Sequence, residues 1–475
     1  MVNNDLPSLL KNLFALLEAH RPAFSQQRIF LRALGLFLSE IFTFGRHTVT
    51  QGLLALGLTD ADWSPWYRLF SLGRFQAEKA AAILLGQTLQ HVPDDEPYIV
   101  GVDGVGVPRT GRKIPGTAWL PALFTAPFRR GLQRIQRFLD LAWLTPLEEG
   151  YSRAIPLLWL PAFTEKAVAA EEFILKEWEA ALKALRWLRE QLDGLGRAKQ
   201  WILLLVDGSL EKGVEFWKGL PERVAVLGRT ARNRVFYHLP PPEEEKKRGH
   251  PQWYGERSPS PAQWLRQREG WKKEMLTVRG RKIEATYRVE GPFLREGLPH
   301  QPLFLIVVRG CDRKVGKGKK KRIRRPPAFF VVSAVRKGGE WVLPWSATFL
   351  LEWAWQRWEL EVEHREVKSG LGLGEKQCWR PRSAVASVQW SAWVYGVLLL
   401  AGYRTWGLCR GPASPGRWWR GSRRWSLNTL LRGLRAAWWE EAEFRAVWPG
   451  ISTNWVKKEG EMALLWNAVA GTARI

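Results

Sequence analysis

Trp201-Ile-Leu-Leu-Leu-Val-Asp-Gly208 contains six apolar residues in a row and ends on a carboxylate followed by glycine. A continuous apolar run of this length predicts a strand that is buried on both faces of a sheet. The stretch Tyr98-Ile-Val-Gly-Val-Asp-Gly104 has the same form. The two stretches together predict an α/β fold in which Asp103 and Asp207 stand at the ends of buried strands.

These two aspartates are candidates for a metal site. The chain has only ten aspartates, and a single Asp after a strand is an ordinary turn residue. Strand ends of an open sheet also hold ligands and metals, because the strand fixes the carboxylate. Two carboxylates brought together repel each other unless a cation lies between them. To bind Mg²⁺, such a pair of carboxylates needs a third one.

The best source of that carboxylate is the charged stretch 355–368. At about 100° per residue, four of its side chains fall on one face of a helix. They are Arg357, Glu361, Arg365 and Lys368. One carboxylate flanked by three cations suits phosphodiester chemistry, because the carboxylate can bind a metal while the cations bind phosphates. Ion pairs on an exposed helix are the alternative interpretation.

The rest of this helix has a structural explanation. An apolar stripe is rotated away from Glu361 and is predicted to fasten the helix to a sheet. The stripe consists of Trp353, Leu360 and Val367. Three further glutamates point elsewhere and are predicted to be solvated partners of the basic surface. They are Glu359, Glu363 and Glu366.

The helix resembles the signature of a known family. Arg357, Glu361 and Lys368 have the spacing of the R-E-K part of the pattern Y-x-x-R-x-x-x-E-x-x-x-x-x-x-K. That pattern marks insertion-sequence DDE transposases whose ribonuclease H-like catalytic domain carries a β-rich insertion. The family also tends to have Trp after the signature Arg, as Trp358 here, and Leu-Gly-Leu-Gly after the Lys, as at 371–374. The order of predicted elements over about 95–403 agrees with this resemblance: the strand with Asp103, two more strands, a long amphipathic helix from Thr164 to about Leu192, the strand with Asp207, an insertion and the helix with Glu361.

The resemblance implies a function and its parts. Asp103, Asp207 and Glu361 would be catalytic and would bind two Mg²⁺ ions, with Mn²⁺ as a substitute. The activity would be metal-dependent cleavage and strand transfer at the ends of an insertion sequence, by a cut-and-paste route. The partners would be double-stranded DNA, namely terminal inverted repeats and target DNA, and a second copy of the chain on that DNA.

The expected DNA-binding residues are on the signature helix and in a basic run. On the helix, the three cations would hold phosphates, and Trp358 would stack on a base displaced at the transposon end, with core packing as its alternative. The run 314–325 has eight Lys or Arg in twelve residues and is predicted to be a mobile loop that binds backbone phosphates. The expected DNA-binding residues are Arg357, Trp358, Arg365, Lys368, Lys319, Lys320, Lys321 and Arg322.

Two positions depart from the family pattern. The signature Tyr position is Ala354, and Asp103 is followed by Gly104-Val105 where relatives often have Asp or Ser and then Thr. These departures motivate a second hypothesis, a catalytically inactive, transposase-derived DNA-binding protein. A third, a basic protein of membrane surfaces, requires the apolar segment 385–403 to enter lipid. A buried core helix is favoured for this segment, because polar residues interrupt it.

The domain organisation follows from changes in pattern along the chain. Apolar residues recur at helical spacing before residue 92, where two short helices around Gly57 fit a helix-turn-helix or an ordinary hairpin. The fold class is α/β: a ribonuclease H-like mixed-sheet core with a β-rich insertion and a helical N-terminal domain. The predicted parts are a helical DNA-binding domain (1–92), the first part of the core (93–230), the basic insertion (231–345), the second part with the Glu helix (346–403), and a helical Arg/Trp-rich region (404–475).

Charge and cysteine content limit the remaining possibilities. The 475 residues carry 72 Lys and Arg against 46 Asp and Glu, a formal net charge of +26, which indicates an anionic partner and nucleic acid first. Three scattered cysteines exclude a disulfide framework and a CxxC zinc site. No signal peptide is read at the N-terminus. We expect a cytoplasmic, nucleoid-associated protein of a prokaryote, with no membrane partner.

Overall fold

The computed structural model describes residues 6–43, 45–121, 131–167, 171–241, 252–315, 321–411 and 424–440. Strands form one large sheet and two small hairpins in these ranges. In chain order the strands are β1 (Tyr98–Pro108), β2 (Thr117–Pro121), β3 (Leu132–Leu144), β4 (Ala154–Pro161), β5 (Ile202–Val206), β6 (Val224–Arg229), β7 (Lys272–Val278), β8 (Arg281–Arg295), β9 (Leu298–Val308), β10 (Cys311–Val315), β11 (Lys321–Arg325), β12 (Ala328–Ser333), β13 (Val335–Lys337) and β14 (Glu340–Val342).

Helices cover the large sheet on both faces. In chain order the described helices are α1 (Leu6–Ala19), α2 (Gln27–Phe42), α3 (Val49–Ala55), α4 (Ser64–Ser71), α5 (Ala77–Thr88), α6 (Glu177–Gly194), α7 (Gly208–Glu211), α8 (Val214–Lys218), α9 (Pro261–Arg266), α10 (Ala347–Gln356), α11 (Trp358–Gly370), α12 (Pro381–Trp406) and α13 (Leu427–Glu440).

The large sheet is mixed and has ten strands in the order β2-β3-β1-β5-β6-β12-β9-β8-β7, with β4 beside β3. At its centre β1, β5 and β6 run parallel, and antiparallel neighbours flank them. All five residues of β5 are buried, as its continuous apolar run predicts. The predicted α/β class, with a ribonuclease H-like mixed sheet and a helical N-terminal region, is confirmed.

Different helices cover the two faces of the central strands. Ile99 and Leu205 pack with α10, through Leu350 and Leu351, on one face. Val100 and Leu204 point to the other face, where α6, α5 and α12 pack with them. Successive side chains along a strand therefore meet different helices. This alternation decides which residues face α11, the helix that carries Glu361 and Lys368 and is called the signature helix below.

Strands from the predicted insertion continue the core sheet. β12 pairs antiparallel with β6, and β9, β8 and β7 follow it outward. The predicted boundary at 230/231 thus falls within one continuous sheet, since Thr230 N, directly after β6, donates to the carbonyl of Phe329 of β12 at 2.9 Å. The domain limits stay a proposal.

The helical N-terminal region shares its core with the rest of the protein. Leu13 of α1 and Phe37 of α2 belong to the same buried cluster as Trp390 and Trp393 of α12. The two short helices predicted around Gly57 are present as α3 and α4, with Gly57 at φ 72° and the Thr48 hydroxyl accepting from Gln51 N at 3.1 Å. Their role as a helix-turn-helix stays a prediction.

Helix α12 contains the apolar segment. It is long and apolar enough to cross a membrane, yet 94% of its apolar window is buried inside the protein. The prediction of a buried core helix is confirmed, since α12 packs against β4, α1 and α5.

Two predicted boundaries are wrong. The long helix expected from Thr164 begins at Glu177 instead, because the chain first turns back beside β4: Leu175 N donates to the carbonyl of Phe163 at 3.1 Å. The first strand does not end at Asp103 but continues to Pro108, because its partner β3 is long enough to pair along the whole of it.

Candidate active site

The sheet register brings Asp103 and Asp207 side by side. β1 and β5 are parallel neighbours whose last paired residues are Gly101 and Leu205. Asp103 and Asp207 each follow two residues later, so both point to the same face of the sheet as that pair. β5 ends at Val206 while β1 continues, which leaves both side chains partly exposed at this edge.

Local hydrogen bonds fix both carboxylates. Asp207 caps the short helix α7, where its Oδ1 accepts from Ser209 N at 2.9 Å and Leu210 N at 3.0 Å. Oδ1 of Asp103 accepts from Gly104 N at 2.9 Å. One oxygen of each group is thus engaged with the backbone; the cap of α7 does not use Oδ2 of Asp207, whereas Oδ2 of Asp103 accepts from Arg357.

The signature helix covers the face on which Asp103 lies. Leu360 packs over Gly101, where a Cβ would come within 2.6 Å of the leucine side chain, so only glycine lets α11 approach β1 this closely. The stripe Trp353, Leu360 and Val367 is buried, as predicted. The continuous helix expected over this stretch is interrupted at Arg357, where α10 ends and α11 begins.

Arg357 links the first carboxylate to the third. Its Nη1 lies 3.3 Å from Asp103 Oδ2, and its Nη2 lies 3.0 Å from Glu361 Oε1. Asp207 and Glu361 also line one groove, so the structure brings all three predicted catalytic residues to one place. None of the three is fully buried, which leaves them accessible from solvent.

The electrostatics of this place favour a cation. Burial raises the pKa of Asp103, and the carboxylates of Asp207 and Asp140 raise it further, against the opposing effect of His364 and Arg357. A carboxylate whose neighbours repel its charge is relieved by a dication bound among them. Oxygen ligands on carboxylates are those that Mg²⁺ and Mn²⁺ take.

The other signature residues lie along the same helix. Lys368 is half-buried, and burial lowers its pKa while Asp103 opposes that shift. Arg365 is exposed one turn after Glu361. Trp358 is 48% exposed and lines the groove, so its ring is not core packing. Phosphate and base contacts by these residues stay predictions.

The expected solvent exposure of the other glutamates on α11 is wrong. Glu359 is 1% exposed and pairs with Arg279 at 3.3 Å and with Arg424. Glu366 is largely buried and pairs with Arg153, and it accepts from the Tyr395 hydroxyl at 2.7 Å. Periodicity alone missed this, because α11 also meets Arg153 before β4, Arg279 between β7 and β8, and Arg424 of the C-terminal region.

Glu363 is also buried, in a cluster with Asp140 and His364. Asp140 stands directly opposite Asp103 on β3, and its Oδ2 lies 3.0 Å from His364 Nε2. Both oxygens of Glu363 and Oδ1 of Asp140 have no hydrogen-bond partner among the described residues. Burial and then the Asp140 carboxylate raise the pKa of Glu363 well above its usual range. A proton retained by Glu363 would let it donate to Asp140.

Glu363→Gln is therefore expected to stabilise the protein at pH 8. In the folded state Glu363 keeps its proton, whereas in the unfolded chain it releases that proton above the ordinary carboxyl pKa. Wild-type stability therefore falls as the pH rises from that ordinary pKa toward the raised pKa of the folded state. The variant should gain about 1–3 kcal/mol at pH 8 and nothing near pH 4, as measured by urea unfolding. Exposed Glu190→Gln is the control. A loss of stability at pH 8 would mean that the ionised carboxylate is needed.

Another acidic residue near the aspartates was not foreseen. Glu177, in the first turn of α6, forms an ion pair with Arg137 of β3. Its carboxylate fills the space beside Gly104, where a Cβ would lie 2.9 Å from it. The sequence held signals for both missed residues: Asp140 is the single acidic residue of its strand, and Glu177 opens the helix before the Asp207 strand. The misplaced helix start hid Glu177.

A groove of about 480 Å³ opens beside the carboxylates. It runs between the signature helix and the strands that extend the sheet. Arginines from both sides line it together with the acidic residues, and Trp355 and Trp358 form part of one wall. The lining arginines are Arg229, Arg309, Arg325 and Arg357. Such a mixture of cations and exposed rings suits a nucleic acid strand.

Arg325, the last residue of the basic run, lines this groove. The ends of the run pair as the hairpin β10–β11, with Lys314 opposite Arg322 and Val315 opposite Lys321, so the run is not a loop throughout. Lys319 and Lys320 lie outside the described residues, as do the side chains of Lys321 and Arg322.

The C-terminal Arg/Trp cluster comprises residues 417–420 and 423–425, and its described members, Arg424 and Trp425, make contacts that stabilise the fold. Trp425 is 3% exposed and donates from Nε1 to the carbonyl of Gly407 at 2.8 Å. Arg424 pairs with Glu359, as above. The remainder of the cluster, residues 417–420 and 423, lies outside the described residues.

A comparison with protein families gives a match over much of the chain. The model described as "DDE superfamily endonuclease" matches residues 22–289, which is more than half of the 475 residues. This range includes both aspartates and Glu177, and it ends before the signature helix. No curated protein matches the chain.

Proposed function

The chain belongs to the DDE superfamily of endonucleases, and on that premise we propose that it is a DNA transposase. It cleaves DNA at the ends of an insertion sequence and transfers the strands by a cut-and-paste route. Asp103, Asp207 and Glu361 are the catalytic carboxylates. The observation that carries the proposal is the bridge of Arg357 between Asp103 and Glu361, beside an Asp207 held in register with Asp103.

The donor set of this site fits divalent cations. Three partly exposed carboxylates converge where burial and mutual repulsion raise the pKa of one of them. Mg²⁺, or Mn²⁺ in its place, would be held by Asp103, Asp207 and Glu361. When bound, such ions lower the pKa of an attacking hydroxyl and stabilise the leaving oxygen of a phosphodiester.

The protein's own groups position the DNA. Arg357 donates to Asp103 and opposes the burial that raises the pKa of that carboxyl, and the charge of Asp103 in turn opposes the burial that lowers the pKa of Lys368. Both cations thus lie near Asp103, so they are placed to contact phosphates on either side of the cut. Arg365 extends this basic face toward solvent. Trp358 presents an exposed ring in the groove, where it would stack on a displaced base.

The wider setting follows from the charge. A net charge of +26 favours double-stranded DNA as partner, with both terminal repeats and target DNA bound by backbone contacts that weaken with salt. We place the protein with the prokaryotic nucleoid in the cytoplasm, acting as a homodimer on paired ends.

The test is excision of the element from a plasmid that carries the gene's native flanking DNA. We expect Mg²⁺-dependent excision that requires the short inverted repeats, and products joined to new target DNA. Scrambled repeats of the same length are the matched control.

The outcome also decides the alternative. A catalytically inactive DNA-binding protein would bind the repeats in a salt-sensitive manner and produce no cut with Mg²⁺ or Mn²⁺. That result would overturn the proposed transposase.

A further inference from the structure

We propose that Asp140, Glu363 and His364 form a second metal site, which binds one Zn²⁺ ion between strand β3 and the signature helix. The three side chains are buried, and their ligand atoms lie within 4.8 Å of one another. None of these residues belongs to the set proposed for cleavage, so the inference goes beyond the proposed function. It concerns the fold around the active site and not the reaction.

The residue types of this cluster suit a transition-metal dication. Zn²⁺ binds imidazole nitrogens at about 2.0–2.1 Å and carboxylate oxygens at about 2.0–2.2 Å, so its ligand atoms lie about 3–4 Å apart. Nε2 of His364 is 3.0 Å from Oδ2 of Asp140, which is close to that separation. Such ligands bind Zn²⁺ more tightly than Mn²⁺ or Fe²⁺, so a site filled with Zn²⁺ does not take up the ions used at the catalytic carboxylates.

Glu363 contributes unpartnered oxygens to the cluster. The residue is 1% exposed, and neither of its oxygens has a hydrogen-bond partner within the described part of the chain. Oδ1 of the fully buried Asp140 lacks a partner in the same way. The indole of Trp159 borders the cluster and lowers the pKa of Glu363, yet its Nε1 makes no hydrogen bond. With both oxygens free, Glu363 can supply two donor atoms and complete a four-coordinate set with Asp140 and His364.

The neighbouring glutamates show which partner Glu363 lacks. Glu359 and Glu366 of the same helix are each paired with arginine. Among the described residues, no lysine or arginine forms an ion pair with Glu363 or Asp140. Buried carboxylates repel each other when they lie side by side, and buried charges are normally paired or bind a metal. A dication between these two would neutralise both charges.

The site is closed, as structural Zn²⁺ sites are. Asp140 lies on β3 opposite Asp103. Glu363 and His364 lie on the helix that carries Glu361, so an ion here would fasten that helix to the strand beside the first catalytic aspartate. The ligands are buried, whereas the three proposed catalytic carboxylates are partly exposed. An enclosed ion does not reach DNA, and its role is to hold the signature helix in place.

A proton takes the place of the ion in the metal-free protein. It removes one charge from Glu363 and can form a hydrogen bond to Asp140. The amide of Glu363→Gln can donate the same hydrogen bond, but it is neutral and cannot replace the carboxylate as a ligand. We therefore expect Glu363→Gln to be at least as stable as the wild type without metal, and to lose the affinity for Zn²⁺.

The test is Zn²⁺ binding to the purified full chain after its metals have been removed, measured by competition with a chromophoric chelator. The Asp103→Asn/Asp207→Asn double variant disables the proposed catalytic site, so the Zn²⁺ that it binds reports on the cluster. We expect one Zn²⁺ per chain in the double variant. Adding Glu363→Gln should weaken this binding by at least about 100-fold, because loss of a ligand costs more than loss of an outer contact.

The matched control adds Glu190→Gln, at an exposed position, to the double variant and should leave the Zn²⁺ affinity unchanged. Zn²⁺ should also raise the midpoint of thermal unfolding of the double variant and of this control, but not of the variant that contains Glu363→Gln. Thermal unfolding without metal checks that each variant folds.

Two outcomes would overturn the inference. If the double variant binds no Zn²⁺, the cluster holds a proton only. If Glu363→Gln leaves the Zn²⁺ affinity of the double variant unchanged, the ion binds elsewhere. Failure of the proposed function is a separate result: a wild type that binds Zn²⁺ at the cluster but cuts no DNA in Mg²⁺ keeps the structural site and loses the transposase.

Discussion

Asp207→Asn is expected to reduce DNA cleavage by at least about 10³-fold while DNA affinity stays within a factor of a few. Asparagine keeps the Oδ1 acceptor that caps α7 at Ser209 and Leu210, so the fold at this position is retained. The substitution removes the negative charge that a dication needs. The loss therefore belongs to chemistry rather than to folding or binding.

The same substitution at Asp103, and Glu361→Gln, should give losses of similar size. The measurement is single-turnover cleavage of an end-containing duplex in Mg²⁺, with DNA affinity measured in Ca²⁺. Asp95→Asn, at an exposed position away from the sheet edge, is the matched control. Wild-type cleavage rates in any one of the three site variants would remove that residue from the site.

Arg153→Leu is expected to lower the free energy of unfolding by about 3–5 kcal/mol. Arg153 is buried, pairs with Glu366 of α11, and donates from Nη1 to the carbonyl of Trp425 at 2.9 Å. Its guanidinium also lies 4.5 Å from the centre of the Trp425 ring. The substitution leaves the Glu366 charge buried without its strongest partner, and α11, which carries Glu361, loses an anchor.

A second substitution separates charge from packing in this prediction. Glu366→Gln in the Arg153→Leu background removes the uncompensated charge and should recover part of the lost stability, as measured by urea unfolding. Arg153→Leu is also expected to slow cleavage, because Glu361 is positioned by the same helix. A cost below about 1 kcal/mol for Arg153→Leu would mean that the ion pair does not hold α11.

Much of the fold could be predicted because the signals were local. The apolar runs before Asp103 and Asp207 gave the central parallel strands, and the buried stripe of Leu360 and Val367 gave the face of α11 that meets the sheet. The burial of α12 followed from an apolar segment with polar interruptions. Each of these rests on a few consecutive residues and the period of their side chains.

The parts that sequence missed depend on long-range packing. Periodicity correctly turned Glu359, Glu363 and Glu366 away from the face of Glu361, but nothing local shows that the C-terminal region and the strands β3 and β4 cover them. The pairing of β12 with β6, which extends the core sheet, is equally invisible along the chain.

Missed site residues have the same cause. Asp140 meets Asp103 only through the antiparallel register of β1 and β3. Glu177 reaches Gly104 only because α6 begins later than its periodicity indicates, after a turn beside β4. A sequence pattern gives the residue types of a site, and the register of the sheet decides which of them meet.

The central claim is that Asp103, Asp207 and Glu361 hold the cations used for cleavage. It is tested most directly by replacing Mg²⁺ with Fe²⁺ and mapping where locally generated hydroxyl radicals cut the protein backbone. We predict cuts close to residues 103, 207 and 361 that Mg²⁺ suppresses by competition and that vanish in the Asp103→Asn/Asp207→Asn double variant. Cuts confined to other segments, or an unchanged pattern in the double variant, would contradict the claim.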